Sequence, residues 1–408
     1  MGATDDSTIG RRARTIRRRR GLSVEVAAGL AGISTGYLSL LERGLRRFQR
    51  RGLLEDLAGA LGCSVADLTG QPYVPVDRDT ADALSALPAI REALHSYGSD
   101  EVPDVTPRPL AQLTRWAAEA NEHTTQARYS LAGRNLGAVL TELTAHAHTA
   151  AASERALAAT AAVVACFAAG VLASRTGHAD LAVAAAQRGY ELAAHHDDAA
   201  GLGFARWYWA MELTSVAARD RAHAVAAVGL DELTGSVSTG HTADTRPAEV
   251  AGMLNLQQAR AAARHHRADD AHAHLSEAAD LADRIGERNG FGLHFGPTNV
   301  AAWRLAINIE LGEGARAAED FARAPVDVAA LESAERSSSL HLDMARALSQ
   351  HGAERDAEAI RHLDTADRIA PSRTRPDPIA RELVETLARR ARRRVWELDS
   401  LRNRFGVN

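Results

Sequence analysis

Short apolar runs, each one to three helical turns long, alternate with capping residues through the first seventy positions. Thr8 stands before IGRRARTIRRRRG, Ser23 before VEVAAGLAG, Ser34 before TGYLSLLERG and Ser64 before VADLTG. A Ser or Thr side chain accepts a hydrogen bond from one of the first free amides of a helix, so each marks an N-terminus. Gly21, Gly32, Gly44 and Gly62 follow the runs and read as stops. The pattern predicts five short helices, the fourth over residues 51–61, with a tight turn between the second and third. No run of that length buries a core alone. Together they predict a helix-turn-helix unit over residues 8–70.

Residues 71–79, QPYVPVDRD, contain two prolines and read as a linker. Beyond them the pattern is helical throughout, and one signature recurs: a small or polar turn residue with alanine five positions later. It stands at Gly177/Ala182, Ala217/Ala222, His266/Ala271, Gly312/Ala317 and Gly352/Ala357, at spacings of 40, 49, 46 and 40 residues. The two longer spacings contain insertions at residues 235–247 and 288–297. Helices near 80–96, 108–126 and 129–150 read as degenerate pairs. A last helix is predicted over residues 379–404, with an apolar stripe of Ile379, Leu383, Leu387, Val395, Leu398 and Leu401. The expected organisation is the unit at 8–70, the linker, a repeat array at 80–378 and a capping or dimerisation helix at 379–408. A chain of 408 residues is long enough for such a division.

Composition sharpens this into an all-α fold. Alanine dominates the 46% apolar content and aromatics are 4%; alanine favours helix over strand. There is no lysine, so all 48 basic residues are arginine. Residues 1–70 carry 12 Arg against 7 Asp and Glu, while the rest carry 36 against 45. A basic unit on an acidic body points to a polyanionic partner for the small unit. Cys63 and Cys166 show no metal-ligand spacing and read as free thiols in a reducing compartment. The run at 156–172 is mostly alanine and suits a buried helix better than a membrane span. No apolar leader opens the chain, and a cytoplasmic protein is expected.

Residues 22–44 and 54–70 read as LSxExxAxxAGISxGYLSxLERG and LxxLAxALGCSVADLTG. They resemble the XRE (phage repressor/Cro-type) DNA-binding domain, with Leu22, Ala28, Gly32, Ser34, Tyr37, Leu41, Glu42, Gly44, Leu61 and Gly70 at signature positions. One position departs: where that family commonly has Gln, this chain has Val24, which removes one expected phosphate clamp. The turn-plus-alanine mark is similar to that of tetratricopeptide (TPR) repeats, at a longer period. The combination resembles the cytoplasmic peptide-responsive regulators of Gram-positive bacteria. The string FGPTNVAxxRxAxxxELG, residues 295–312, resembles actinobacterial members of this kind. The resemblance implies a TPR-like α-solenoid and ligand-controlled DNA binding.

The residues themselves say which side chains would do this. The N-terminal end of the third helix is expected in the major groove, with Ser34, Thr35, Gly36, Ser39 and Arg43 outward. Arg46 and Arg47, with Arg17 and Arg18, are expected on phosphates, alongside Arg19, Arg20, Arg50 and Arg51. A homodimer would read a pseudo-palindromic operator in double-stranded DNA. For a peptide or small-molecule effector, the candidates are Trp207 in RWYWAMEL, His294 and Asn299 in FGLHFGPTN, Trp303 one turn on, and Asn255. The bland alternative is that the aromatics fill gaps between repeats. A metal site from His195, Asp197, His265 and Asp269 would need ligands from separate helices, and solvated faces explain these residues better. No phosphate-loop, zinc-protease or nucleophile-elbow motif occurs. The reading is a ligand-responsive, dimeric DNA-binding regulator with no cofactor and no enzymatic activity. The alternative is a repeat-protein adaptor with weak, non-specific DNA affinity.

Overall fold

The computed structural model describes residues 8–74, 77–98, 100–237, 244–324, 326–391 and 395–407. Regular structure among them is helical, apart from one antiparallel bridge between Arg288 and Phe295. Five short helices come first: α1 Ile9–Arg19, α2 Val24–Leu30, α3 Thr35–Glu42, α4 Arg51–Leu61 and α5 Val65–Thr69. Each expected cap is made. Thr8, Ser23, Ser34 and Ser64 accept from the amides of Arg11, Val26, Tyr37 and Asp67. Gly21, Gly32, Gly44 and Gly62 all have positive φ, which costs glycine nothing. The chain turns by 107° between α2 and α3, within the range of helix-turn-helix units. Gly10 lets α1 touch α3, since a Cβ there would lie 2.1 Å from the Leu41 carbonyl oxygen. Val24, at the departure from the family pattern, packs against this small core.

The rest is a stack of helices. It begins with α6 Arg78–Ser85, α7 Leu87–His95, α8 Leu110–Thr125, α9 Tyr129–Ala132 and α10 Leu136–Thr149. Hairpins follow: α11 Ala152–Arg175 with α12 Ala179–Ala193, α13 Ala199–Ser215 with α14 Arg219–Val237, and α15 Arg246–Arg264 with α16 Ala268–Ile285. Two more are α17 Pro297–Leu311 with α18 Gly314–Arg323, and α19 Ala334–Leu348 with α20 Asp356–Ile369. The first helices α13, α15, α17 and α19 each pack on the next, as in a solenoid. All five predicted turn residues have positive φ: Gly177, Ala217, His266, Gly312 and Gly352. Four of the five paired alanines, Ala182, Ala222, Ala271 and Ala317, are buried where the two helices of a hairpin meet.

The fifth pair is shifted. Ala357 is exposed and Ala359 is the buried residue, because a short 3-10 turn at Ala353–Arg355 delays the start of α20. An unpredicted sixth copy lies upstream, with Ala127 at φ 53° and Ala132 fully buried five residues later. The insertion at 288–297 folds back so that Phe295 is fully buried, and Gly252 makes room for its ring. Residues 238–243 of the other insertion lie outside the described residues. The helix at 152–175 is long and apolar enough to cross a membrane, and most of it is buried in the stack.

The C-terminal expectation needs correction. The helix predicted over 379–404 is two helices, α22 Pro378–Arg390 and α23 Trp396–Phe405, after the short α21 Pro371–Thr374. The chain is extended at Ala391 and Val395, and residues 392–394 lie outside the described residues. The apolar stripe is spent within the chain. Leu383, Leu387, Leu398 and Leu401 join the core of α17–α20, and Ile379 joins the core of the helix-turn-helix unit.

Candidate nucleic-acid interface and the cavity behind it

Ser34, Thr35 and Gly36 open α3 and are exposed, as are Arg18, Arg43 and Arg46; Ser39 is half-buried. An added Cβ at Gly36 would meet nothing within 4 Å, so the chain leaves open space there. Short polar side chains at the open end of a helix, ringed by arginines, suit a major groove and its phosphates. Three expected phosphate contacts are placed elsewhere. Arg17 is buried and donates to both Glu42 carboxylate oxygens, at 2.5 and 2.8 Å, tying α1 to α3. Arg47 is buried and donates to Ser349 Oγ and to the Arg346 carbonyl. Burial pushes its guanidinium down to about 10. Arg51 reaches Asp377 at 3.0 Å. Neither buried arginine is placed to meet a phosphate.

These contacts reveal what the sequence pattern did not: α4 is docked on the repeat array. Arg51 and Gly52 donate their backbone amides to Glu310 on α17, at 3.1 and 3.2 Å. First-turn amides have no partner within their own helix, and a carboxylate there also meets the positive end of the helix dipole. Glu55 on α4 accepts from Arg219 and Arg264, each at 2.6 Å, and Asp56 accepts from Arg219 at 2.8 Å. Phe48 donates its amide to Glu382 at 3.0 Å. Burial holds the Glu382 carboxyl at about 7. The docked face is α4 and the segment before it, while the open end of α3 stays exposed.

Behind α4 lies a cavity of about 1070 Å³. One wall is Arg51, Leu54 and Glu55 of the helix-turn-helix unit, and the other is the inner helices of the array, with Glu212, Arg260, Trp303 and Arg336. Of the five expected effector residues, Trp303 is on this wall. Trp207 is buried against Phe167 and Phe204, with ring centroids 5.8 Å from each, filling the space between hairpins. Asn255 is buried and bonds His274 and the Ala251 carbonyl. His294 is buried in the folded-back insertion. Asn299 is fully buried and accepts from Arg336 Nε at 3.0 Å, so it positions a wall residue instead of forming the wall. Arg260, Arg336 and Glu212 were missed. Nothing in the sequence singled them out: their helices carry other charged residues, and the chain holds 48 arginines. Among the described residues no group of His, Cys, Asp or Glu could hold a metal ion. Cys166 is buried and Cys63 half-buried.

The class follows from this geometry. The N-terminal unit is a helix-turn-helix domain, the architecture of DNA-binding regulators, followed by an array of helical repeats. Residues 8–69 match the family model described as a helix-turn-helix domain. Comparison with curated proteins gave no match. Among solved structures, the chain is similar to PlcR of Bacillus thuringiensis in complex with the peptide PapR7 and DNA. Identity is 12%, the match covers 68% of this chain and 95% of that one, and the TM-score is 0.28.

Proposed function

We propose that the protein is a sequence-specific DNA-binding transcriptional regulator whose repeat array responds to a peptide or small molecule. One observation carries this reading: the reading end of α3 is exposed while α4 is anchored to the array through buried ion pairs and helix-capping carboxylates. The array therefore sets the orientation of the reading head without covering it. In a homodimer, half-site spacing follows from that orientation, and a ligand that prefers one docking geometry shifts the population between spacings. Ser34, Thr35, Gly36, Ser39 and Arg43 are assigned to the groove, and Arg18 and Arg46 to phosphates. The stripe at the C-terminus is spent within the chain, so the dimer surface is assigned to another part of the array.

The test compares the purified chain on the duplex upstream of its own coding sequence with a scrambled duplex of equal length, at two salt concentrations. Preference for the upstream duplex at the higher salt supports base readout. Equal binding that falls equally with salt indicates phosphate contacts alone, and the adaptor reading then replaces the regulator at this site.

A further inference from the structure

The cavity wall carries an imbalance of charge. Most arginines that reach deep into the cavity have a carboxylate partner. Arg264 has Glu55, Arg346 has Glu310 and Asp343, and Arg175 and Arg373 share Glu335. Arg260 and Arg336 have none among the described residues. Arg260 donates one hydrogen bond, to Gln257 Oε1 at 2.5 Å, and its Nε is buried without a partner. The Arg336 side chain donates one, to Asn299 Oδ1. Both guanidinium carbons lie 5.3 Å from the centre of the Trp303 ring, and the Trp303 indole N–H is also buried without a partner.

A cation held largely out of water without a counter-charge is costly, and an arriving anion would relieve that cost. Burial pushes Arg260 down to about 9 and Arg336 down to about 10. The nearby acids do not compensate. Glu55 and Asp343 are already paired. Among the described residues the Glu212 carboxylate accepts a hydrogen bond only from Ser215 Oγ, at 3.3 Å, and burial raises its carboxyl to about 7. Both arginines are half-buried and line the cavity.

We propose that this cavity binds an oxyanion, a carboxylate or phosphate group of a small organic ligand, on Arg260 and Arg336 beside Trp303. Planar guanidinium forks match both oxyanions geometrically. The proposal deepens the ligand-responsive reading above and rests on it. Arg260 also lies one turn from Arg264, which holds Glu55, and the far wall is α4 itself. An anion here therefore sits where the charges that dock the DNA-binding unit are set.

The test is calorimetric titration of the full chain, without DNA, with benzoate, phenyl phosphate and benzyl alcohol at constant ionic strength. These share a ring and differ in the anion; the first two distinguish a carboxylate source from a phosphate source. One anion is expected to bind saturably, one per chain, about tenfold or more tighter than the alcohol, as charge-assisted bonds imply. The double variant Arg260→Met/Arg336→Met is expected to erase that preference. Equal binding of all three probes, no saturable binding of either anion, or a preference that survives in a folded double variant would overturn the proposal. The comparison of probes on the unmodified chain stands even if the variant fails to fold. DNA is absent from the titration, so this outcome is separable from the outcome on duplexes.

Discussion

Glu55 offers a direct handle on docking, because one carboxylate on α4 is shared by two arginines from the array. Its side chain is 5% exposed, Arg264 is 6% exposed and Arg219 is 16% exposed. In a Glu55→Ala variant Arg219 keeps Asp56 at 2.8 Å, but Arg264 loses its acid and stays buried. Removing one partner of a buried pair costs about 3–5 kcal/mol, chiefly because a charge is left uncompensated. The retained Asp56 pairing puts the expected cost at the low end, about 3 kcal/mol, on the order of a 100-fold shift toward the undocked state. Hydrogen exchange reads this locally. Among the described residues the amides of Phe48 and Gly52 are bonded only across the interface, to Glu382 and Glu310. Their protection should fall on the order of 100-fold, while amides bonded within α4 should lose much less. The double variant Glu55→Met/Arg264→Met removes both charges and should recover most of the loss. Unchanged protection at Phe48 and Gly52, or no recovery in the double variant, would refute the argument that this pair holds the domain.

Other consequences are equally concrete. Glu382 and Glu212 are both raised to about 7 in the folded chain, above their unfolded value near 4.5. The folded state therefore binds protons more tightly, and these groups favour folding less as pH rises from about 4.5 to 7. Seven histidines among the described residues are held below their usual value, His362 at about 4, and act the opposite way over the same window. The test is therefore a difference: the melting temperature of Glu382→Gln relative to the parent chain should rise between about pH 4.5 and 7, and a difference that stays flat contradicts the burial argument. Gly10→Ala drives a Cβ against the Leu41 carbonyl and should destabilise the helix-turn-helix unit by about 1–3 kcal/mol, read by hydrogen exchange in α1 and α3. Arg46→Ala removes one exposed cation proposed to meet a phosphate, so the salt slope of DNA binding should fall by about one, with sequence preference intact. Thr35→Val should alter preference and leave the slope unchanged.

Local structure was legible where one residue decides it. The caps at Thr8, Ser23, Ser34 and Ser64 and the glycine stops depend on neighbours a few positions away, and each formed as expected. The repeat turns were legible for the same reason, because a turn that needs positive φ selects its residue locally. Ala127 escaped because neither it nor its neighbours mark a turn, and the hairpin geometry imposes the conformation instead. Docking was not legible. Glu55 meets arginines 164 and 209 positions away, and Phe48 meets Glu382 across 334. No periodicity encodes such pairs, and with 48 arginines each acid has many candidate partners. The same dilution hid Arg17 and Arg47: an arginine run reads as a phosphate-binding face until the fold buries some of its members. The aromatic cluster at Trp207 misled for a related reason, because large rings fill gaps between hairpins as readily as they line a cavity.

The central claim is that α3 reads sequence in a dimer whose spacing the array sets. Repeated selection of the full chain against a random duplex pool tests it most directly. The account predicts enrichment of a two-fold symmetric motif, its half-sites centred about one helical turn or a small multiple apart. The Glu55→Ala variant should retain the half-site and relax the spacing between halves. A bound pool that keeps its random composition through successive rounds would contradict the claim.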